Sequence, residues 1–83
     1  MKVVISIIES LALKYGFNCS ISHTDKDLSI FHLQRDYIYI AVDIEFKEQI
    51  RVNMVSRPYK VLPIWECSIH TLEQTLIDKL NLF

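Results

Sequence analysis

The sequence is very poor in glycine. Among 83 residues, glycine occurs once, at Gly16. Phosphate-binding loops, dinucleotide-binding turns and nucleophile elbows all need glycines where the backbone approaches a ligand or adopts a positive φ angle. The composition therefore excludes the glycine-rich motifs of nucleotide-binding proteins and of many hydrolases.

An excess of one charge and long apolar runs are also missing. Nine Lys and Arg residues stand against ten Asp and Glu residues, so the formal net charge is −1 and no overall field attracts nucleic acid or anionic lipid. No stretch approaches the ~20 apolar residues of a membrane span. The short apolar run at residues 3–8, followed by Glu9, does not fit a signal peptide. These features predict a cytoplasmic protein without a membrane partner.

Cysteine is scarce, with Cys19 and Cys67 as the two examples. Because no secretion signal is expected, we predict that both are reduced thiols that pack as small hydrophobic side chains. A zinc site with two cysteines and two histidines is an alternative. It requires two pairs that are distant in the sequence to meet. Strand alternation is expected to place Cys19 and His23 on the same face of a strand, and Cys67 and His70 lie at the start of the last helix. These spacings match neither a zinc finger nor a zinc ribbon, so the sequence predicts no metal and no other cofactor.

The composition is that of a folded domain. Apolar residues make up 51% of the chain and charged residues 23%, which distinguishes it from a disordered tail. A chain of this length has room for one core, so residues 1–83 are predicted to form a single domain. The stability of so small a domain is marginal. Pairing of exposed strand edges between two copies would bury more surface, and we therefore expect a homodimer.

Helical spacing of apolar residues marks both ends of the chain. Between residues 3 and 15 apolar side chains recur every three or four positions, and Gly16 follows where a C-terminal cap is expected. The β-branched start of this segment leaves a strand as the alternative. From Ile69 to Phe83 the same spacing returns, with Ser68 or Thr71 as the N-cap. The sequence predicts two amphipathic helices.

Four segments between these helices alternate apolar and polar residues, as half-buried strands do. They comprise residues 17–24, 28–33, 37–46 and 50–55. Short polar turns separate them, which predicts an antiparallel meander. In the second segment the pattern leaves open whether Leu28 or Phe31 points inward. The predicted fold class is α+β, a two-layer sandwich in which a four-stranded antiparallel sheet is flanked by N- and C-terminal helices in the order α-β-β-β-β-α.

The third and fourth strands have the clearest alternation. Their even-numbered residues are apolar, from Ile38 to Phe46 and from Ile50 to Met54, so both sets are predicted to face the helices. Strands that share a face in this way must pair residues whose numbers sum to an even value. We predict the register that places Ile44 opposite Ile50. The same register pairs Asp43 with Arg51, Tyr39 with Val55 and Tyr37 with Arg57.

The odd-numbered face of this hairpin is left for solvent or for a partner. Tyrosine and arginine are enriched at protein interfaces, and tyrosine also stacks on nucleic-acid bases. The following segment, residues 56–67, contains two prolines and is predicted to be an extended connection with an edge strand at 59–62. Its aromatic residues are candidate rigid anchors. The predicted partner-binding residues are Tyr37, Tyr39, Arg51, Asn53, Arg57, Tyr59, Lys60 and Trp65.

No sequence pattern for catalysis accompanies this surface. The three histidines have no adjacent nucleophile motif, and a chain this small has little room for a ligand pocket. The sequence predicts a non-enzymatic interaction protein, an inhibitor or adaptor that sterically occupies a partner protein, of the kind often carried by phages and mobile elements. Two alternatives stay open. One is a nucleic-acid-binding protein that uses the Tyr/Arg sheet face, which the balanced charge disfavours, and the other is a small metal-binding protein.

Overall fold

A computed structural model describes residues 2–57, 60–61 and 64–82, with the backbone alone at residues 57, 60 and 61. The elements follow the order α1 (Lys2–Lys14), β1 (Asn18–Thr24), β2 (Leu28–Arg35), β3 (Ile38–Phe46), β4 (Ile50–Arg57), β5 (Lys60–Val61), β6 (Trp65–Cys67) and α2 (Ile69–Leu80). A helix thus lies at each end of a run of antiparallel strands, and the predicted α+β class is confirmed.

All described strands belong to one antiparallel sheet with the order β1-β2-β3-β4-β5, and β6 also pairs with β4. On β4, the segment β5 pairs with Val55 and Ser56, whereas β6 pairs with residues 50–52. Both short segments therefore lie along the same edge of β4 and together form a fifth strand position. The predicted edge strand at residues 59–62 corresponds to β5, but β6 was not predicted. Pro63 stands between the two segments in the sequence, and a proline has no N–H to donate to a ladder.

The N-terminal segment forms helix α1 and not the alternative strand, because the helical conformation packs its apolar stripe into the core. It ends in a Schellman motif: the Phe17 N–H donates to the Ala12 carbonyl at 2.7 Å, and the Gly16 N–H donates to the Leu13 carbonyl at 3.2 Å. Gly16 has a φ of +79°, a conformation that strains residues with a Cβ atom. The single glycine of the chain is thus used to end this helix.

Helix α2 begins after Ser68, which is the N-cap. The backbone N–H of Ser68 donates to Oγ1 of Thr71 at 3.2 Å, so both predicted capping residues contribute to the same turn. The two helices bury their stripes in one core with the even-numbered residues of β3 and β4, as predicted. The core members are Val4, Ile8, Leu11, Ala12, Phe17, Phe31, Leu33, Ile40, Val42, Ile44, Val52, Met54, Cys67, Leu72, Leu76 and Leu80.

The side of the sheet that contacts the helices is called the inner face here, and the opposite side the outer face. On β2, Phe31 lies opposite Val42 and Leu33 lies opposite Ile40. Residues directly opposite each other in an antiparallel pair project to the same side. Phe31 and Leu33 therefore point inward, which decides the facing that the sequence left open.

The predicted parity of the β3–β4 hairpin is right, but its register is wrong by two residues. Phe46, not Ile44, lies opposite Ile50, so the loop consists of residues 47–49. Phe46 is partly buried against the core, and its N–H donates to the Asp27 carbonyl at 2.8 Å. The chain turns later than predicted because the longer pairing buries this ring and satisfies its backbone. A shift of two residues keeps every side chain on its predicted face.

The cross-strand partners change with the register. The observed pairs on the outer face are Tyr39 with Arg57, Ala41 with Val55, Asp43 with Asn53 and Glu45 with Arg51. Tyr37 was predicted to lie on β3 opposite Arg57. It lies instead in the two-residue β2–β3 turn with Asp36 and is 79% exposed. Asp36 has a φ of +53°, which aspartate tolerates better than most residues.

Candidate functional site

The outer face is the candidate functional surface. Both helices bury their apolar stripes on the inner face, and no described helix packs on the outer one. Apart from the exposed Gln34, its described side chains on β2, β3 and β4 are half-buried by their neighbours in the sheet, while those on β1 and β6 are exposed. The residues used below are Ser20, Ser22, Ile30, His32, Tyr39, Ala41, Asp43, Glu45, Arg51, Asn53, Val55 and Glu66.

The structure brings three of the predicted partner-binding residues onto this face, namely Tyr39, Arg51 and Asn53. Tyr37 lies at its end, in the β2–β3 turn. Arg57 lies opposite Tyr39, and Lys60 opposite Ser56, but their side chains are outside the described part of the chain. Tyr59 is outside the described residues altogether.

Trp65, a predicted partner-binding residue, lies on the inner side of the sheet and not on the outer face. It lies opposite Val52, a fully buried inner-face residue, so the strand alternation directs its ring toward the helices. The ring packs against the core, and the Nζ atom of Lys79 from α2 lies 5.3 Å from its centroid. Trp65 thus covers the core beside α2, where a small domain needs its large side chains.

Three polar residues on β3 and β4 form what we call the open cluster: Asp43, Arg51 and Asn53. Asp43 and Asn53 are directly opposite each other, and Arg51 is the next outer-face residue along β4. All three are half-buried. In the part of the chain that the structure describes, none of their side chains forms a hydrogen bond or an ion pair. Their polar groups are therefore available to a binding partner.

A groove of about 400 Å³ lies beside the open cluster and includes it in its lining. Leu28, Phe46 and the 59%-exposed Ile64 provide apolar wall. The remaining lining residues carry both signs of charge: Asp27, Glu45 and Lys47. The Lys47 Nζ atom lies 3.5 Å from a Glu45 carboxylate oxygen. Apolar wall next to unpaired donors and acceptors is suited to side chains that have an aliphatic stem and a polar tip.

A second group, the histidine cluster, consists of Ser22, His32 and Tyr39. The His32 Nε2 atom lies 2.8 Å from the Ser22 Oγ atom, and His32 Nδ1 is hydrogen-bonded to the Tyr39 hydroxyl. The two rings are stacked, with centroids 5.7 Å apart and planes 20° apart. Sequence reasoning missed this cluster because its members lie on three different strands. The sequence signal that could have indicated the cluster was the presence of polar residues at outer-face positions of β1, β2 and β3.

A β-bulge explains why Ser22 reaches His32. The register of β1 against β2 shifts between Ile21 and His23, and such bulges re-aim side chains. Before the bulge Cys19 lies opposite the inner-face residue Leu33, whereas after it His23 lies opposite Ile30 on the outer face. The expectation that Cys19 and His23 share a face is therefore wrong. His23 instead contacts Asp25, with 2.7 Å between Nε2 and Oδ2.

The proposed zinc ligands are far apart. Cys19 lies on β1 at one edge of the sheet and Cys67 lies on β6, which pairs with β4 at the other edge. Four strand spacings separate them, or roughly 19 Å. The two thiols can neither share an ion nor form a disulfide. Burial raises the pKa of both thiols, and the nearby Glu9 carboxylate adds to the rise at Cys19. Among the described residues, no three His, Cys, Asp or Glu side chains are grouped to hold a metal ion.

Comparison with other proteins assigns no family. The chain matches no protein-family model, no curated protein and no solved structure. In the described residues, neither helix is long and apolar enough to cross a bilayer. The outer face with its two clusters is therefore the basis for a functional proposal.

Proposed function

We propose that this protein is an interaction module that binds a partner protein through the outer face and acts as an inhibitor or adaptor by steric occupation. The open cluster is the observation that carries this proposal. Its three polar side chains are half-buried and have no partner among the described residues. A partner that covers them must supply matching groups, because a buried polar group without a hydrogen bond is costly. Such a surface selects its partner.

The cluster also indicates the chemistry of that partner. Asp43 requires a donor, such as a lysine or arginine, and Arg51 requires a carboxylate or carbonyl oxygen. The apolar wall at Leu28, Phe46 and Ile64 accommodates an aliphatic or aromatic side chain beside them. We therefore infer a protein surface that carries both signs of charge around an apolar anchor, the arrangement of an apolar interface centre with a polar rim.

The arrangement favours a protein over a nucleic acid. In the register of the sheet, Arg51 lies between Glu45 on β3 and Glu66 on β6, and Asp43 follows on the same face. These carboxylates oppose the phosphates that dominate nucleic-acid binding. Tyr39, which the nucleic-acid alternative uses as a stacking platform, has its ring stacked on His32.

Charge reversal tests the proposal. Arg51→Glu and Asp43→Lys should each abolish capture of the same protein from an extract of the native host. Lys2→Glu and Glu73→Lys make the matching charge changes on exposed positions of the helices and should retain it. With the purified partner, calorimetry should show a loss of at least about 30-fold in affinity, which corresponds to about 2 kcal/mol.

Two results would overturn it. The first is a partner that the outer-face variants and the helix variants bind equally well. The second is micromolar binding of short single-stranded RNA or DNA with a clear salt dependence, which would establish the nucleic-acid alternative.

We also propose that two copies associate through β1. This strand is at the edge of the sheet, and Ile21 near its middle is 38% exposed. A second copy can pair along residues 18–21, before the bulge interrupts the regular ladder. Light scattering at high micromolar concentration should give the mass of a dimer, and Ile21→Lys should return it to a monomer. A monomeric wild-type protein contradicts this association and leaves binding through the outer face untouched.

A cytoplasmic location is part of the same proposal. The two cysteines are free and too far apart to pair, which suits a reducing compartment. Fractionation of host cells should recover the protein with the cytoplasmic enzymes, and recovery with secreted proteins would contradict this placement.

A further inference from the structure

The histidine cluster contains the parts of an activated nucleophile. A hydroxyl within hydrogen-bond reach of an imidazole, which a third group in turn orients, is the common arrangement of nucleophile and base. Ser22, His32 and Tyr39 meet that description in the order hydroxyl, imidazole and phenol. Ser22 is exposed and His32 half-buried, so a carbonyl group can approach the hydroxyl from solvent.

We propose that Ser22 is a nucleophile for which His32 acts as general base, and that it accepts acyl groups from small activated esters. The bulge between Ile21 and His23 directs the Ser22 hydroxyl to Nε2 of His32 at 2.8 Å. Ser20, which lies directly opposite His32 in the ladder, forms no side-chain hydrogen bond with any described residue. The bulge therefore distinguishes one serine of β1 from its neighbour.

Tyr39 acts as a positioning residue. A neutral imidazole has one N–H donor and one acceptor nitrogen. When Nδ1–H of His32 donates to the Tyr39 hydroxyl, Nε2 is the acceptor and can take the proton of Ser22. The stacking of the two rings holds the imidazole in this orientation.

The reaction proceeds in two balanced steps. Ser22 Oγ attacks the ester carbonyl carbon and its proton passes to His32 Nε2. The carbonyl carbon then loses its bond to the leaving oxygen, which takes that proton as the alcohol or phenol departs, and Ser22 carries the acyl group. In the second step water attacks the acyl carbon and passes a proton to His32 Nε2. The bond between the acyl carbon and Ser22 Oγ then breaks, Oγ takes that proton, and the free acid is released. The open position of Ser22 favours esters with good leaving groups over any ester that needs an enclosed pocket.

The test uses the full chain and p-nitrophenyl acetate. Intact-mass measurement should show one acetyl group added rapidly, and peptide mapping should place it on Ser22. Ser22→Ala should remove this rapid acetylation, whereas Ser20→Ala, the matched control on the same face, should retain it. His32→Gln should slow it by about 100-fold, the usual lower range for loss of a general base.

A spectroscopic measurement distinguishes a positioning role of Tyr39 from a purely structural one. The nitrogen chemical shifts of His32 should show the Nδ1–H tautomer in the wild type, and Tyr39→Phe should change the tautomer population while the stacked ring stays. Thermal melting checks that each variant is folded.

Three outcomes would overturn the proposal. They are acetylation spread over lysines without preference, equal rates at Ser20 and Ser22, or an unchanged Ser22 rate in folded His32→Gln. None of them affects the proposed binding through Asp43, Arg51 and Asn53, because those residues are not part of the histidine cluster.

Discussion

The two faces of the sheet differ in how their polar side chains are hydrogen-bonded. On the inner face a fully buried serine, Ser29, is hydrogen-bonded to Thr24, with 3.0 Å between the hydroxyl oxygens, and the rest of the core is apolar apart from Ser56. On the outer face Asp43, Arg51 and Asn53 are half-buried and have no polar partner among the described residues. The two inner-face serines are thus bonded within the chain, whereas the buried Nε1 of Trp65, at the edge of the core, has no hydrogen-bond partner among the described residues. Under the proposed function, a partner protein supplies the missing groups on the outer face.

A further difference exists within the outer face. The histidine cluster is hydrogen-bonded internally, whereas the open cluster is not. Preorganised polar groups suit chemistry at a defined atom, and unpaired ones suit recognition. This difference is the reason for assigning reactivity to Ser22 and partner binding to Arg51 and its neighbours.

The largest effect is expected from a core substitution. Ile40 is fully buried on the inner face, and Ile40→Ala should lower the free energy of unfolding by about 2–5 kcal/mol because it removes buried methyl groups and leaves a cavity. Val52→Ala should act in the same direction. Urea unfolding followed by circular dichroism measures both. Partner binding by the folded fraction should be unchanged, and a loss below about 0.5 kcal/mol for Ile40→Ala would mean that the inner face is wrongly assigned.

The second effect concerns binding. Arg51→Ala should weaken partner binding by about 2 kcal/mol if it is a hot spot, and it should change the free energy of unfolding by no more than about 0.5 kcal/mol. Tyr39→Ala should also weaken binding, but it removes a ring stacked on His32 and a hydroxyl hydrogen-bonded to it, so it should lower the free energy of unfolding more than Arg51→Ala does. Tyr37→Ala, in the turn at the end of the face, should have the smaller effect of the two tyrosines. Calorimetric titration and urea unfolding give the two quantities. Unfolding caused by Arg51→Ala would remove the distinction between the faces.

The third prediction compares the contributions of two aspartates to thermal stability. Oδ1 of Asp25 accepts hydrogen bonds from the backbone N–H groups of Asp27 and Leu28 at 2.7 and 2.8 Å. The bond from Asp27, followed by the contact with His23 and the bond from Leu28, lowers the pKa of Asp25. Asp25→Ala should therefore lower the melting temperature at neutral pH, whereas Asp43→Ala should not.

The pH dependence of that third effect has a definite sign. A carboxylate whose pKa is lowered by folding stabilises the folded state above its unfolded pKa, and this contribution is lost as the pH falls through the folded pKa. The difference in melting temperature between wild type and Asp25→Ala should therefore shrink in acid, below the ordinary aspartate range. A difference that stays constant down to pH ~2 would contradict the assigned turn, since both carboxyl forms would then be equivalent.

The smallest effect is expected from reductants and chelators. Cys19 and Cys67 are free and far apart, and burial raises the pKa of both thiols. Adding either reagent should leave the melting temperature unchanged, and alkylation at neutral pH should be slower than for a cysteine peptide. A large drop with chelator alone would restore the metal-binding alternative, because structural zinc contributes directly to folding.

The sequence by itself determined which side of β3, β4 and the two helices faces the core. The period of 2 in β3 and β4 and the helical spacing in α1 and α2 follow from local backbone geometry, so Ile40, Val52 and Leu72 were assignable without coordinates. The C-terminal cap at Gly16 was assignable for the same reason, since its φ requirement is local.

Tertiary structure decided how these elements meet. The register of β3 against β4 depended on whether Phe46 could be buried and paired with Ile50, and parity alone allows any shift by two residues. Neighbouring strands also decided two further features. One is the division of the edge strand into β5 and β6, and the other is the bulge at Ser22. The bulge sends His23 away from Cys19 and brings Ser22 to His32, ten residues distant in the chain. Local periodicity reports on one strand at a time, whereas a site built across three strands exists only once their relative positions are set.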